Sequence, residues 1–256
     1  MAIWARSSTI VARKRSGVTI PVPSERARTI EALETKIVAC ERCPDLRAYC
    51  ARIATEKKRA HRDQDYWGRP VPAFGDFAAR VLLVGLAPGA HGSNRTGRMF
   101  TGDASGEWLY RALFRAGFAN QPTQRDKNDG LVLHDALITA ALRCAPPGNK
   151  PTPEQLRHCF PYLVREIELL DDLRVVVGLG AIGTRAAETA LASAGFTFAK
   201  RHAFAHGAES VARSGERAIV LLSSYHPSRQ NTNTGVLTEP MLDAIFTRAR
   251  AIVSVV

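Results

Sequence analysis

The chain has 256 residues, a formal net charge of +11 and an isoelectric point of about 9.9. The length suits one α/β domain with appendages, and the positive charge makes nucleic acid the first partner to consider, because each neutralised phosphate releases counterions. No run approaches the roughly 20 apolar residues of a membrane span, and the N-terminus lacks the apolar core of a signal peptide. We therefore expect a cytoplasmic protein with no membrane partner.

The first 24 residues are basic and contain no acidic side chain. We predict that residues 1–24 form a disordered arm, which either contacts DNA nonspecifically or reflects a misassigned start. Residues 25–256 are predicted to form the folded domain. Ser24 is a typical N-cap residue for the first helix of that domain.

From residue 80 onwards, short apolar runs alternate with segments of helical periodicity. The runs predict buried strands at residues 81–84, 136–142, 175–177 and 219–222. Over the whole chain, helices are predicted near residues 25–40, 44–60, 107–116, 153–170, 181–194 and 239–253. The alternation is typical of βαβ units. The predicted fold class is α/β, a single domain with a central, mainly parallel four-stranded sheet flanked by helices.

The segment after the first predicted strand, residues 85–107, contains six glycines. Glycine lets the backbone approach a ligand closely, and the N-terminus of the following helix favours negative charge. Ligands of parallel α/β sheets bind beyond the carboxyl ends of the strands. The segments after the other strands, residues 143–151, 178–180 and 223–231, meet at the same edge. We therefore predict the active site there, with residues 85–107 as its main loop.

Residues 178–183 read Gly-Leu-Gly-Ala-Ile-Gly, the spacing of a dinucleotide-binding turn. The acidic residue expected about 20 residues later is missing, and the motif does not follow the first strand of the sheet. We interpret these glycines as positions of tight packing between strand and helix. An NAD-dependent oxidoreductase is kept as a third hypothesis.

Four of the five cysteines form two pairs, Cys40-x2-Cys43 and Cys144-x14-Cys159. A Cys-x-x-Cys motif in a cytoplasmic protein indicates metal or redox chemistry rather than a structural disulfide. Zinc sites commonly have two closely spaced pairs, whereas the second pair here is wide, so an iron–sulphur cluster is at least as compatible. The spacing leaves both alternatives open. Cys50 belongs to neither pair and is predicted to be structural.

Three stretches together resemble the iron–sulphur uracil-DNA glycosylases, and more narrowly their family 5, or B-type, branch. They are GLAPGAHGSNRTGRMFTGDASGEWLYRAL, RCAPPGNKPTPEQ and SSYHPSRQNTNTG. The resemblance covers about residues 30–253. It implies a [4Fe–4S] cluster, with zinc as the alternative, on Cys40, Cys43, Cys144 and Cys159. It also implies a DNA-repair hydrolase that flips uracil out of DNA and hydrolyses its N-glycosidic bond, leaving an abasic site.

The B-type branch is also known for wider base tolerance. Related A-type enzymes have a glutamate where this chain has Leu86, and an asparagine that reads uracil where this chain has Ala140. A pocket without that amide loses the penalty for wrong bases that hydrogen-bond readout supplies. We therefore expect uracil and other deaminated bases, such as hypoxanthine or xanthine, as substrates.

Breaking an N-glycosidic bond develops positive charge on the sugar and negative charge on the departing base. We predict that His226 donates a hydrogen bond to the leaving base, and that Asp103 is the carboxylate near the sugar or its attacking water. Asp103 could instead cap a helix that begins near Gly106. Asn149, which could contact the base or water, completes the predicted catalytic set.

The remaining predicted site residues form two groups. The base pocket is assigned to Gly85, Leu86, Ala87, Pro88, Gly89, Phe100 and Ala140, with Phe100 as the stacking face for the extruded base. Contacts to DNA are assigned to Arg95, Arg98, Ser228, Arg229, Gln230, Asn231 and Thr232. The predicted partner is DNA containing uracil or other deaminated bases, bound by a monomer at the nucleoid. The alternative function is a noncatalytic metal-containing DNA-binding protein.

Overall fold

A seven-stranded sheet forms the centre of the fold. The computed structural model describes residues 24–255. The strands of the sheet are β1 (Phe74–Gly75), β2 (Val81–Gly85), β3 (Ala136–Ala140), β4 (Val175–Leu179), β5 (Thr197–Phe198), β6 (Glu209–Ser214) and β7 (Arg217–Ser224). They are ordered β1-β3-β2-β4-β7-β6-β5. Except for Ser24, the predicted N-terminal arm lies outside the described residues.

The four predicted strands are confirmed as the parallel centre of the sheet, β3-β2-β4-β7. The residues of β2, β3 and β4 are all buried, which is why they read as continuous apolar runs. The predicted number of four strands is wrong, because β1, β5 and β6 add antiparallel pairs. β1 and β5 have two residues each, too few for a periodic pattern, and β6 mixes polar and apolar residues.

Helices cover both faces of the sheet. In the described chain they are α1 (Glu25–Val38), α2 (Pro44–Glu56), α3 (Ser93–Thr96), α4 (Ala104–Arg115), α5 (Pro153–Leu169), α6 (Gly180–Ser193), α7 (Arg229–Asn233) and α8 (Glu239–Ser254). The predicted helices are present, and α3 and α7 are additional short helices within loops. α2 ends at Glu56 and not near residue 60, because the next residue, Lys57, adopts a φ of 53°, which is not helical. No helix within residues 24–255 has both the length and the apolar character needed to cross a bilayer.

Two apolar layers pack against the sheet. α4 and α8 cover one face, where Leu109, Leu113 and Phe246 are fully buried. α5 and α6 cover the other face, where Leu163 and Leu191 are buried. The sheet edge that carries the functional loops is therefore held between two rigid layers.

α1 lies outside the second layer and ties the N-terminal region to α5. Ser24 caps this helix, as predicted. Leu33 and Ile37 are buried against Tyr162 of α5. This packing brings Cys40, which follows α1, to the same part of the molecule as the cysteine of α5.

The glycines of residues 178–183 are explained by packing. A Cβ atom at Gly183 would collide with the main-chain oxygen of Val84. Gly180 adopts a φ of 81°, and a Cβ atom there would lie 3.2 Å from the Cβ of His226. The motif therefore seats α6 directly on the sheet and supports the segment that contains His226.

Candidate active site

A cavity of about 390 Å³ opens at the carboxyl edge of the parallel strands, among the loops that follow β2, β3 and β7. It is lined by Leu86, Ala87, Gly89, Ser93, Met99, Phe100, Asp103, Ser105, Gly148, Asn149, His226, Ser228 and Gln230. The volume falls in the range of small-molecule sites, about 300–1,000 Å³. The cavity brings together the three side chains predicted to be catalytic, Asp103, His226 and Asn149.

Phe100 forms one wall of the cavity and is 9% exposed. Its φ of 52° is rare for a residue other than glycine. The ring lies against Gly85, where a Cβ atom would come within 2.8 Å of ring atom Cε2, and it stacks on His226 with ring centroids 5.7 Å apart. Strained residues of this kind persist where the surrounding structure holds them, and they cluster at functional sites.

Asp103 combines the two roles that its sequence context suggested. It is the N-cap of α4, and its Oδ1 accepts a hydrogen bond from Gly106 N at 3.0 Å. The helix begins at Ala104, slightly earlier than predicted. Oδ2 faces the loop after β2, where a Cβ atom at Gly92 would collide with it and one at Gly89 would lie 3.0 Å away. These two glycines leave the space that the carboxylate occupies.

The surroundings of Asp103 are electrostatically unusual. Desolvation raises the pKa of its carboxyl group above the ordinary value. Hydrogen bonds from the backbone of Gly106 and Ser105 and the charges of Arg229 and Arg95 oppose this shift, because they favour the ionised form. Among the described residues, no lysine or arginine forms a salt bridge with Asp103. A carboxylate with a raised pKa in a cleft is typical of a catalytic group.

His226 borders the same cavity, just after β7. Burial lowers the pKa of its imidazole to about 4, so the ring is neutral at pH 7 and carries one N–H donor. Phe100 covers one face of the ring, and Gly180 packs against its Cβ. A neutral imidazole held in this way can donate a hydrogen bond to an anion that develops in the cavity.

The segment after His226 folds into α7, which the sequence did not predict. Ser228 Oγ accepts a hydrogen bond from Asn231 N, and Asn231 Nδ2 donates to the His226 carbonyl oxygen at 2.9 Å. Thr232 Oγ1 donates to the Ser228 carbonyl oxygen. These three side chains hold the shape of their own segment, and their contacts with DNA stay a prediction.

Three other predicted residues are exposed around the mouth of the cavity. Gln230 and Asn149 line it, and Asn149 adopts a φ of 57° in the turn after β3. Arg229 is exposed, and its positive charge reaches Asp103. The structure therefore leaves these side chains accessible to a bound strand.

Arg95 and Arg98 are buried, which corrects their predicted role as phosphate contacts. Arg98 is 4% exposed and donates two hydrogen bonds of 2.8 Å to the carboxylate of Asp129. Arg95 is 7% exposed and donates to the carbonyl oxygens of His91 and Gly102. Buried charges need partners of this kind. The two guanidinium groups brace the loop from inside.

Not all predicted pocket residues reach the cavity. Gly85, Pro88 and Ala140 are buried behind its wall. Gly85 and Ala140 are paired in register at the ends of β2 and β3. The members of the predicted set that do line the cavity are Leu86, Ala87, Gly89 and Phe100.

Sequence reasoning missed several residues of the site. The lining residues that it did not single out are Ser93, Met99, Ser105 and Gly148. Their position in the loops at the predicted sheet edge was the available signal. Gln124, which touches the backbone next to Asp103, was also missed because it lies in a polar stretch without a motif.

The two cysteine pairs, 104 residues apart from Cys40 to Cys144 along the chain, line one enclosed space. Cys40, Cys43, Cys144 and Cys159 are all unpaired thiols. Within residues 24–255, no group of three or more His, Cys, Asp or Glu side chains is arranged to hold a metal ion. Cys50 is fully buried, and its Sγ lies 3.6 Å from the carbonyl oxygen of Ala145.

Positive side chains surround the cysteine-lined space. Arg42, Arg47 and Arg143 line it together with the thiols. Arg143 is 1% exposed and forms an ion pair of 2.6 Å with Glu166. Four thiols are the ligand set of common iron–sulphur clusters, and buried negative charge needs positive charge nearby. The chemistry of the donor set therefore fits an anionic, thiolate-bound group, while the thiols of the described residues do not themselves form a metal-binding arrangement.

The sequence profile of the uracil DNA glycosylase superfamily matches residues 72–250. The chain belongs to this superfamily. It is 46% identical over 230 residues to the type-5 uracil-DNA glycosylase of Mycobacterium tuberculosis, a match that covers 90% of this chain and 84% of that protein. The type-5 enzyme of Thermus thermophilus is 49% identical over 220 residues, with 86% and 96% covered. That of Pyrobaculum aerophilum is 46% identical over 216 residues, with 84% and 90% covered. Within the superfamily, these similarities place the chain in the type-5 branch.

Proposed function

We propose that this protein is a monofunctional uracil-DNA glycosylase, which hydrolyses the N-glycosidic bond of uracil in DNA and leaves an abasic site. The observation that carries the proposal is the convergence of Asp103 and the neutral His226 on one cavity beside Phe100. The named activity of the type-5 relatives supports the same reaction.

His226 serves the leaving base. The departing base takes the electron pair of the broken bond, so negative charge accumulates on its ring and carbonyl oxygens. Because its pKa lies near 4, the imidazole is neutral at pH 7, and its one N–H group donates a hydrogen bond to this charge. A preorganised donor of this kind contributes about 10²–10³ to the rate.

Asp103 serves the sugar side of the bond. Positive charge develops on the deoxyribose as the base leaves, and an ionised carboxylate stabilises this charge or accepts a proton from the attacking water. The backbone of Gly106 and Ser105 orients the carboxylate. The cavity lining contains no lysine. An amine nucleophile of the kind that forms Schiff bases is thus missing from this lining, which supports hydrolysis alone.

The target base must leave the helix before it can enter the cavity. Extrusion costs a few kcal/mol and is least costly for damaged or mismatched bases. Phe100 offers an aromatic face inside the cavity, while Arg229 and Gln230 of α7 stand at its mouth to contact the distorted strand. These groups would repay part of the cost of extrusion.

We also propose that other deaminated bases, such as hypoxanthine and xanthine, are substrates. Leu86 and Ala87 give the lining nonpolar side chains next to β2, and Ala140 supplies no amide behind them. The side-chain amides that do line the cavity, those of Asn149 and Gln230, lie on exposed segments. Without a buried amide to leave unpaired, the penalty against other bases is small.

A single chain supplies every group of the cavity, so we propose that the protein acts as a monomer. Its net charge of +11 favours binding to DNA. We propose that it works in the cytoplasm, at the nucleoid.

We propose that Cys40, Cys43, Cys144 and Cys159 hold a [4Fe–4S] cluster, with zinc as the alternative. The four thiols and three arginines around one space support this assignment. Such a group would crosslink the N-terminal helices to the loop after β3. Iron and sulphide analysis with a visible spectrum tests it: we expect a brown protein with broad visible absorbance. A colourless, zinc-containing protein would contradict it.

Excision is tested by incubating the protein with a uracil-containing duplex and then heating in alkali, which cleaves abasic sites. We expect cleavage only at the uracil, and none in the same duplex with thymine at that position. Binding without cleavage at uracil, hypoxanthine or xanthine would favour the alternative, a noncatalytic metal-containing DNA-binding protein.

A further inference from the structure

Gln124 is a buried polar side chain in an exposed segment. The connection from α4 to β3 is solvent-exposed or half-buried from residue 120 to residue 130, except at Gln124, which is 9% exposed. Buried polar groups are nearly always hydrogen-bonded. The partners of this side chain therefore indicate why it is buried.

Both ends of the Gln124 amide bind the backbone beside Asp103. Its Oε1 accepts a hydrogen bond from Gly102 N, and its Nε2 donates to the Asp103 carbonyl oxygen at 3.1 Å. A Cβ atom at Gly106 would lie 3.2 Å from the Gln124 Cδ, so the amide also contacts the first turn of α4. One side chain thus holds two consecutive residues of the loop that carries the candidate carboxylate.

Arg95 holds the same turn from the other side. Its Nη2 donates to the Gly102 carbonyl oxygen at 2.9 Å. Gly102 adopts a φ of 89°, which favours glycine, so its peptide groups can present both hydrogen-bonding directions to these partners. The backbone that leads into Asp103 is therefore fixed by two side chains from different segments.

Asp129 anchors the segment that carries Gln124. Its carboxylate accepts hydrogen bonds from Arg125 N at 2.7 Å and Leu131 N at 3.0 Å, and it pairs with Arg98 in the loop after β2. The segment is therefore closed on itself and attached to the same loop at a second point. Gln124 is presented on a fixed support and not on a mobile one.

We propose that Gln124 is a positioning residue for Asp103, which sets the orientation of its carboxylate by holding the peptide groups on either side of it. This inference rests on the proposed function, because it deepens the role of the same site. An amide suits the task because it combines one acceptor and two donors. A carboxylate offers only the acceptor, and its negative charge would further favour the protonated form of Asp103.

The test compares Gln124→Ala, Gln124→Glu and a matched control, Gln121→Ala. Gln121 lies in the same segment, but its amide donates to the carbonyl oxygens of Thr123 and Asp129 and not to the active-site loop. Single-turnover excision of uracil gives the rate constant for the chemical step, and DNA binding is measured separately. Displacing a catalytic group by about 1 Å can cost 10²-fold in rate. We expect Gln124→Ala to lose about that much with unchanged DNA affinity, and Gln121→Ala to keep the wild-type rate.

The pH dependence gives a readout that a merely structural role would not move. In Gln124→Glu, the added negative charge should shift the acidic limb of the pH–rate profile to higher pH than in the wild type. Carbon-13 NMR titration of the Asp103 carboxyl group should show the same upward shift of its pKa. The NMR titration does not depend on excision, so it shows whether residue 124 is close enough to act on the Asp103 carboxyl group even if the wild type proves inactive and the proposed function fails. The positioning role itself is tested by the rate of Gln124→Ala against Gln121→Ala.

Three results would overturn the inference. One is a wild-type rate in Gln124→Ala. Another is an equal loss of rate in Gln121→Ala, which would assign the effect to the segment as a whole. The third is an Asp103 pKa in Gln124→Glu that matches the wild type.

Discussion

Asp103 and Asp129 attach to the same loop but lie in opposite electrostatic surroundings. Asp129 is 7% exposed at its side chain and is paired with Arg98. Burial alone would raise its pKa, but Arg98 and the backbone N–H groups of Arg125 and Leu131 hold the pKa well below its usual range. Asp103 has no comparable partner among the described residues, and desolvation raises its pKa.

The two carboxylates therefore have different roles: Asp129 stabilises the loop, and Asp103 is available for the reaction. Arg98 and two backbone N–H groups stabilise the ionised form of Asp129, and the resulting ion pair braces the loop. Asp103 is held by backbone hydrogen bonds, and the charges of Arg229 and Arg95 offset its desolvation only in part, so its pKa stays raised beside the cavity. Desolvation also shifts the pKa of His226, to about 4, and thereby favours its neutral form. The paired groups support the site, and the unpaired groups are left for the substrate.

The largest effect is expected from Asp103→Asn. Asparagine and aspartate are equally good N-caps, so this change removes the charge and keeps the cap of α4. We expect uracil excision to slow by about 10²–10⁴, the range for a lost acid–base group. Single-turnover excision measures the rate, and a salt titration of DNA binding should remain unchanged. An unimpaired rate would remove Asp103 from the mechanism.

Asp129→Asn tests the ion pair with Arg98 and should lower the stability of the fold. Removing one partner of a buried pair leaves the charge of Arg98 uncompensated, which costs about 3–5 kcal/mol of unfolding free energy. Because the folded pKa of Asp129 is depressed, its contribution is present above the unfolded pKa and is lost as pH falls. Urea unfolding between neutral and acidic pH should therefore show a gap between wild type and variant that narrows towards low pH. A gap independent of pH would contradict the pairing argument.

His226→Ala should reduce excision of uracil by about 10²–10³, the range for a lost hydrogen-bond donor to a developing anion. The pH profile sharpens the assignment. With a pKa of about 4, His226 stays neutral above that pH, so a loss of rate at higher pH on acidification belongs to protonation of Asp103. We expect this acidic limb to persist in His226→Ala at its wild-type position. Its disappearance would assign the titration to His226 instead.

The sequence predicts the positions of Asp103 and His226 better than it predicts the pairing of Arg98 with Asp129. The apolar runs fix the parallel strands, and the sheet-edge rule then brings Asp103 and His226 to one side. Burial of an arginine cannot be read from a glycine-rich loop, so Arg98 was assigned to DNA. Its partner Asp129 lies 31 residues away, in the polar stretch Arg-Asp-Lys-Asn-Asp. Gln124 directly precedes this stretch, and only the closed shape of the segment reveals its contact with the Asp103 backbone.

The smallest effect expected is a gain in stability for Asp103→Asn. A carboxyl group whose folded pKa is raised contributes stability that is present at low pH and lost as pH rises through that pKa. Above that pKa the ionised Asp103 therefore destabilises the fold, and asparagine should relieve this by about 1 kcal/mol, a common gain where stability is exchanged for activity. Thermal unfolding at pH 7 and at pH 4 measures it, and the gain should be smaller at pH 4. Asp103→Ala is the control, because it removes the charge but also the cap, at a cost of about 1 kcal/mol. A destabilised Asp103→Asn variant at pH 7 would show that the carboxylate is compensated like Asp129, and the contrast between the two sites would fail.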